Sequence, residues 1–151
     1  MRVISGKYKG RKILVESKSD YRPTLTRIRE DIFNLLLHNN DLSIDLNEVI
    51  LCDLFAGTGS IGIEALSRGV KKVIFNDIEK KRTDKIEEFL KKINEENYEI
   101  INIDPYKQKI EILDKINSNI LVIYECINLI DIQNVILRKR YKNKNLFFFK
   151  T

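Results

Sequence analysis

The stretch Asp53-Leu-Phe-Ala-Gly-Thr-Gly-Ser-Ile-Gly62 constrains this chain more than any other. The run Val49-Ile-Leu-Cys-Asp53 leads into it without a polar break before the aspartate, as expected of a parallel strand buried on both faces. Gly57, Gly59 and Gly62 then give the spacing G-x-G-x-x-G, and a helical pattern runs through Ser67 to a stop at Gly69. Strand, glycine turn and helix in this order open a doubly wound sheet, with a ligand expected at the strand's carboxyl end.

The following residues keep the alternation. Lys72–Asn76 reads as a second strand, Glu79–Asn94 as a helix and Tyr98–Ile103 as a third strand. Lys107–Ile116 reads as a helix and Ile120–Tyr124 as a fourth strand. Leu146–Phe149 is a closing strand, paired across Lys142–Asn145 with residues near Val135–Tyr141. Such alternation predicts a parallel α/β sheet with helices on both faces. Upstream, Arg2–Val15 alternates basic and apolar residues around Gly6 and Gly10, the pattern of a short hairpin or extended arm. Pro23 makes Tyr21–Thr24 a turn. Thr24 or Thr26 then caps a helix that runs to His38, with Ile28, Ile32, Leu35 and Leu36 on its inner face. The expected organisation is one domain over 1–151, a basic arm over 1–23 and an α/β core over 24–151.

Charge is distributed unevenly. Residues 1–29 hold nine Lys/Arg against Glu16 and Asp20, a local balance of +7. Residues 138–150 hold six Lys/Arg and no acid, so a net charge of +5 leaves −8 for residues 30–137. Basic ends around an acidic middle fit a polyanionic partner, although solvated lysines alone produce the same count. Cys52 and Cys126 have no metal-ligand spacing and read as small buried hydrophobes, so no metal is expected. Apolar runs such as Asn119–Tyr124 are too short to span a bilayer, and MRVISGKYKG has no signal core. A cytoplasmic, monomeric protein away from membranes is the expectation.

Asp53 discriminates between ligands for the glycine loop. It stands four residues before Gly57, at the strand tip. A pyrophosphate seeks bare N–H groups and a helix N-terminus, and this carboxylate repels it. S-adenosylmethionine carries an ammonium and a sulfonium and no phosphate, so the same carboxylate becomes a charge-assisted acceptor. Asp77 follows Gly57 by twenty residues and can accept ribose hydroxyls. With Glu79, it equally suits a capped helix start.

Two stretches resemble a known family. Arg2-Val-Ile-Ser-Gly-Lys-Tyr-Lys-Gly-Arg-Lys12 followed by Arg22-Pro-Thr-Leu-Thr-Arg-Ile-Arg-Glu-Asp-Ile-Phe-Asn-Leu-Leu36 is similar to the start of the RsmD family. Leu51–Gly69 resembles that family's cofactor loop and following helix. These are bacterial methyltransferases that modify a guanine N2 in small-subunit ribosomal RNA. The resemblance is dense over residues 2–90. It implies a Rossmann-like methyltransferase sheet, S-adenosylmethionine as cofactor, and small-subunit ribosomal RNA or the assembling subunit as partner. It further implies cofactor contacts from Asp53, Phe55, Gly57, Gly59, Asp77, Thr24 and Glu30, and RNA contacts from Arg2, Lys7, Lys9, Arg11, Lys12, Arg22, Arg27 and Arg29. Glu30 and the arginines also suit simple pairing on one helix face.

The family carries an acid or amide, two prolines and an aromatic after its fourth strand. Acceptors there draw the protons of the target amine and aim its lone pair, while the aromatic stacks on the extruded base. The only counterpart here is Asp104-Pro105-Tyr106, one proline short and directly after the third strand. Lys107–Ile110 already looks like the sequence beyond that motif, which implies the loss of one strand-helix unit, about twenty residues at ordinary element lengths. Asp104 is thus the catalytic acceptor, the acid that meets the cofactor's adenine, or a fusion of both. A relative that binds RNA without turnover and a DNA adenine N6-methyltransferase are the alternative functions. The R-P-T arm argues against the second.

Overall fold

The computed structural model describes residues 1–14, 26–38, 45–105, 120–123, 135–141 and 144–149. Two helices, α2 (Ser60–Ser67) and α3 (Lys80–Lys92), alternate with strands β1 (Ile50–Asp53), β2 (Lys72–Asn76) and β3 (Tyr98–Ile101), after helix α1 (Thr26–His38). Strand β4 is Ile120–Ile123, followed by β5 (Val135–Tyr141) and β6 (Lys144–Phe149). The expected helix over Lys107–Ile116 lies outside the described residues.

The strand order is β3-β2-β1-β4, all parallel. Asp53 is level with Phe75 on one side and with Ile123 on the other. The order reverses at β1, because the chain first moves outward through β2 and β3 and then returns to β4. In open α/β sheets such a reversal is where ligands bind, at the carboxyl ends of the strands. Strands β5 and β6 pair antiparallel, Tyr141 opposite Lys144, and β6 runs close to β4.

The core is one cluster between the sheet and its helices. Leu51 of β1, Val73 and Phe75 of β2, Ile63 and Leu66 of α2, and Ile86 and Leu90 of α3 are buried in it. Every residue of α2 is buried, which fits a helix with little polarity around its circumference. On α1 the buried residues are Arg29, Ile32, Phe33 and Leu36, whereas Ile28 and Leu35 are only partly buried. The inner face is therefore turned toward Phe33 from the expected stripe. The spacing i, i+3, i+4, i+7 runs through an arginine, and that residue hid the pattern.

The first residues form a hairpin. Arg2 and Lys12 bridge antiparallel, Val3 N–H donates to the Arg11 carbonyl at 3.0 Å, and Ile13 N–H donates to the Met1 carbonyl at 2.8 Å. Its two apolar residues, Val3 and Ile13, belong to the core cluster. Each contributes about 1.5–3 kcal/mol if burial is complete.

Candidate functional site

Three strand tips and the turns beyond them build the candidate site. At the tip of β1, Asp53 is 3% exposed, and its Oδ2 accepts the Gly62 N–H at 3.2 Å. The carboxylate therefore faces the first turn of α2 and not an apolar interior. It places negative charge where the helix macrodipole is positive. An anionic ligand would find that helix end already neutralised.

The turn between β1 and α2 depends on its glycines. Gly59 is the N-cap of α2 at φ 71°, a left-handed conformation that side-chain-bearing residues rarely adopt. A Cβ on Gly62 would lie 2.2 Å from Phe75 Cε1, so this glycine lets α2 lie against β2. Within the turn, Gly59 N–H donates to the Ala56 carbonyl at 2.7 Å. Thr58 Oγ1 is buried in this turn without a hydrogen-bond partner. An orphaned hydroxyl in such a loop is a ready contact for a polar ligand group.

The tip of β2 holds the turn from the other side. Asp77 Oδ2 accepts the Gly57 N–H at 2.8 Å, and its Oδ1 accepts the Glu79 N–H at 2.9 Å. The helix-start and ligand readings of Asp77 are thus compatible, since a carboxylate offers about four lone-pair sites. Arg82 Nη1 lies 3.5 Å from Asp77 and its Nη2 lies 2.8 Å from Glu79. Ile78, directly after Asp77, is 64% exposed, an apolar surface beside the expected ribose position. Phe55 is half-buried.

Sequence reasoning missed the residues that align these tips. Asn76 is wholly buried. Its carbonyl accepts the Ala56 N–H at 2.8 Å, and its Nδ2 donates to the Leu54 and Ile103 carbonyls at 3.0 and 3.2 Å. Asn102 Nδ2 donates to the Asp77 carbonyl at 2.7 Å and to Thr83 Oγ1 at 2.8 Å. A polar residue closing the apolar run Lys72-Val-Ile-Phe-Asn76 was the available signal.

Asp104 and Pro105 follow β3, with Asp104 half-buried and Pro105 buried. Strand β2 lies between β3 and β1, while β4 takes the place directly beside β1. Tyr106, Thr24 and Arg22 lie outside the described residues, as does the chain immediately after β4. Glu30 and Arg27 are exposed on α1.

The basic residues separate into two sets. Arg2, Lys9, Arg11 and Lys12 are exposed on the hairpin. Lys7 is half-exposed and bonds Glu95 at 2.7 Å. Arg29, expected among the RNA contacts, is 0% exposed, and its Nη2 donates to the Arg2 carbonyl at 3.0 Å. Burial lowers its pKa from the ordinary guanidinium value, with the charges of Glu64 and Glu30 acting against that shift.

Comparison with known proteins bears on the family and the fold. The family described as Conserved hypothetical protein 95 matches residues 1–127. The ribosomal RNA small subunit methyltransferase D of Haemophilus influenzae is 36% identical over 104 residues, covering 68% of this chain and 51% of that relative. The chain thus spans about half the length of that relative. The protein of the same name from Buchnera aphidicola subsp. Baizongia pistaciae is 29% identical over 180 aligned positions, covering 98% of this chain and 89% of the relative. An alignment longer than the 151-residue chain requires gaps, as the loss of a strand-helix unit does. Among solved structures, yhhF of Escherichia coli, described as a methyltransferase, superposes with a TM-score of 0.70 at 18% identity, covering 99% of this chain and 97% of that one. The fold is Rossmann-like.

Proposed function

From the chain's membership of the RsmD family, the Conserved hypothetical protein 95 group, we propose that it binds S-adenosylmethionine and methylates a guanine N2 in small-subunit ribosomal RNA. The observation that carries the cofactor reading is the Asp53 carboxylate against the first turn of α2. It disfavours a phosphate-bearing coenzyme and favours a cationic one. The orphaned Thr58 hydroxyl and the glycine turn also fit a polar ligand. Asp53 would face the amino acid moiety, Gly57 and Gly59 would let it approach the backbone, and Asp77 would accept the ribose hydroxyls. Ile78 and Phe55 would flank the adenine. When bound, this cofactor supplies an electrophilic methyl group on a sulfonium.

Asp104 belongs on the adenine side in this reading. Its strand is separated from β1 by β2, whereas the acceptor of an amine's protons belongs beside β1. The exposed hairpin residues Arg2, Lys9, Arg11 and Lys12 supply phosphate contacts, with Arg27 on α1.

The same position of Asp104 favours a second reading, a relative that holds cofactor and RNA without turnover. Incubation with labelled S-adenosylmethionine and undermethylated small ribosomal subunits separates the two. Label recovered as N2-methylguanine supports the enzyme. Calorimetric binding of the cofactor with no label in RNA supports the non-catalytic relative, and absence of cofactor binding rejects both.

A further inference from the structure

Helix α2 meets the cofactor turn at its start and the basic hairpin along its flank. Glu64, in the middle of the helix, is wholly buried. Its Oε2 accepts the Ile4 N–H at 2.8 Å, and its Oε1 accepts the Ser5 N–H at 3.0 Å and Arg68 Nε at 2.9 Å. At the end of α2, the Ser67 carbonyl accepts the Lys7 N–H at 2.8 Å, and its hydroxyl accepts the Tyr8 N–H at 2.9 Å while donating to the Ser5 carbonyl. Gly6 makes this approach possible, since a Cβ there would lie 1.7 Å from the Ser67 carbonyl oxygen. Glu95 takes Tyr8 Oη at 2.8 Å from the opposite side.

We propose that Glu64 is a positioning residue for RNA: its carboxylate fixes the basic hairpin at one setting relative to the cofactor turn, so phosphate contacts and methyl donor share the frame of α2. The inference rests on the RNA-methyltransferase reading above. Burial of Val3 and Ile13 attaches the hairpin but is non-directional. The bonds to Glu64 are directional, and charge-assisted bonds are the strong ones. Ser67 ends the helix about 10–12 Å from Ser60 at 1.5 Å per residue, so the hairpin's tip contacts lie a full helix length from the cofactor turn. A slip of the hairpin therefore moves its four exposed cations together, away from the phosphates they match.

The test is fluorescence anisotropy with a fluorescein-labelled RNA hairpin across a potassium chloride series, beside calorimetry with S-adenosylmethionine. Glu64→Gln is expected to weaken RNA binding about tenfold, the scale of one charged hydrogen bond, with cofactor affinity unchanged. The slope of log K against log salt should flatten by about 0.7–0.9 for each phosphate that the hairpin ceases to neutralise. Gly6→Ala leaves the carboxylate in place and displaces the hairpin, so it should give the same pair of changes. Wild-type RNA affinity and slope in a folded Glu64→Gln protein overturn the inference, even if its melting temperature falls. If Glu64→Gln does not fold, wild-type RNA binding in Gly6→Ala overturns it instead. A wild-type protein that binds cofactor but no RNA overturns both the inference and the RNA reading beneath it.

Discussion

Asn76 and Ile103 are tied by a reciprocal pair of hydrogen bonds: the Asn76 Nδ2 donates to the Ile103 carbonyl at 3.2 Å, and the Ile103 N–H donates to the Asn76 Oδ1 at 3.0 Å. The side chain thereby continues the β2–β3 ladder past the end of its strands. Asn76→Leu leaves the Leu54 carbonyl and both Ile103 groups without this partner. It should lower stability by about 2–4 kcal/mol in chemical denaturation, since each buried unsatisfied group costs about 1–3 kcal/mol. Cofactor affinity should fall as well, because the turn after β1 loses its tether. An unchanged midpoint would show that water replaces the amide.

Asp53→Asn keeps shape and removes charge. It should weaken S-adenosylmethionine binding about ten- to a hundredfold by calorimetry, the range for a hydrogen bond to a charged group. Unaltered affinity would remove the basis for preferring a cationic cofactor.

Gly62→Ala adds one methyl group against Phe75, where a Cβ would meet the ring at 2.2 Å. Overpacking of this kind costs about 1–3 kcal/mol, to be read from the urea midpoint. A variant as stable as the parent would mean that α2 moves off β2 freely.

The Lys7–Glu95–Tyr8 cluster gives stability a pH dependence at both extremes. Burial opposes the charged form of Glu95, but its bonds from Lys7, the Asn97 N–H and Tyr8 outweigh this and lower its pKa from 4.5. Its contribution is present above that value and is lost as pH falls toward the lower folded value. Burial, then the bond to Glu95, raises the Tyr8 pKa above 10.0. Burial opposes the Lys7 ammonium, yet Glu95 leaves its pKa raised above 10.5. Both contributions are present below those ordinary values and are lost as pH rises through the folded ones. The melting-temperature difference between wild type and Glu95→Gln should be flat between these limits and narrow outside them. A difference that stays constant into acid would exclude Glu95 as the titrating group.

Burial pushes the Cys52 thiol up to about 12, with Glu99 and Asp53 adding to the shift. In a Cys126→Ser background, alkylation near neutral pH should proceed only at the rate of unfolding, measured by mass spectrometry. Rapid labelling of the native protein would contradict the burial of β1.

What the sequence revealed followed local chemistry. The glycine turn, β1 to β4 and the β5–β6 hairpin were legible because period, apolar runs and glycine punctuation are local signals. The inward placement of Arg29 was not, since arginine is read as a solvated residue unless its partners are known. Glu64 stood in plain view among Ile61, Ile63, Ala65 and Leu66, a carboxylate on an otherwise apolar helix obliged to find donors. Arg68, four residues on, is a local partner, but the backbone donors Ile4 and Ser5 lie at separations of 60 and 59, and no local pattern names them. Strand order was equally hidden, because the place of β4 beside β1 is set by long-range pairing.

The docked hairpin also orders events during synthesis. Its residues leave the ribosome well before Glu64 and Ser67, and Tyr8 precedes Glu95 by 87 residues. A nascent chain must leave the Ile4, Ser5 and Tyr8 N–H groups without their α2 partners, and Tyr8 Oη without Glu95, until those residues have emerged. Contacts of such sequence separation carry a large loop-closure cost and slow folding. The earliest-made of the described elements is therefore among the last to be secured, and truncated chains that stop short of residue 95 should leave it open to protease.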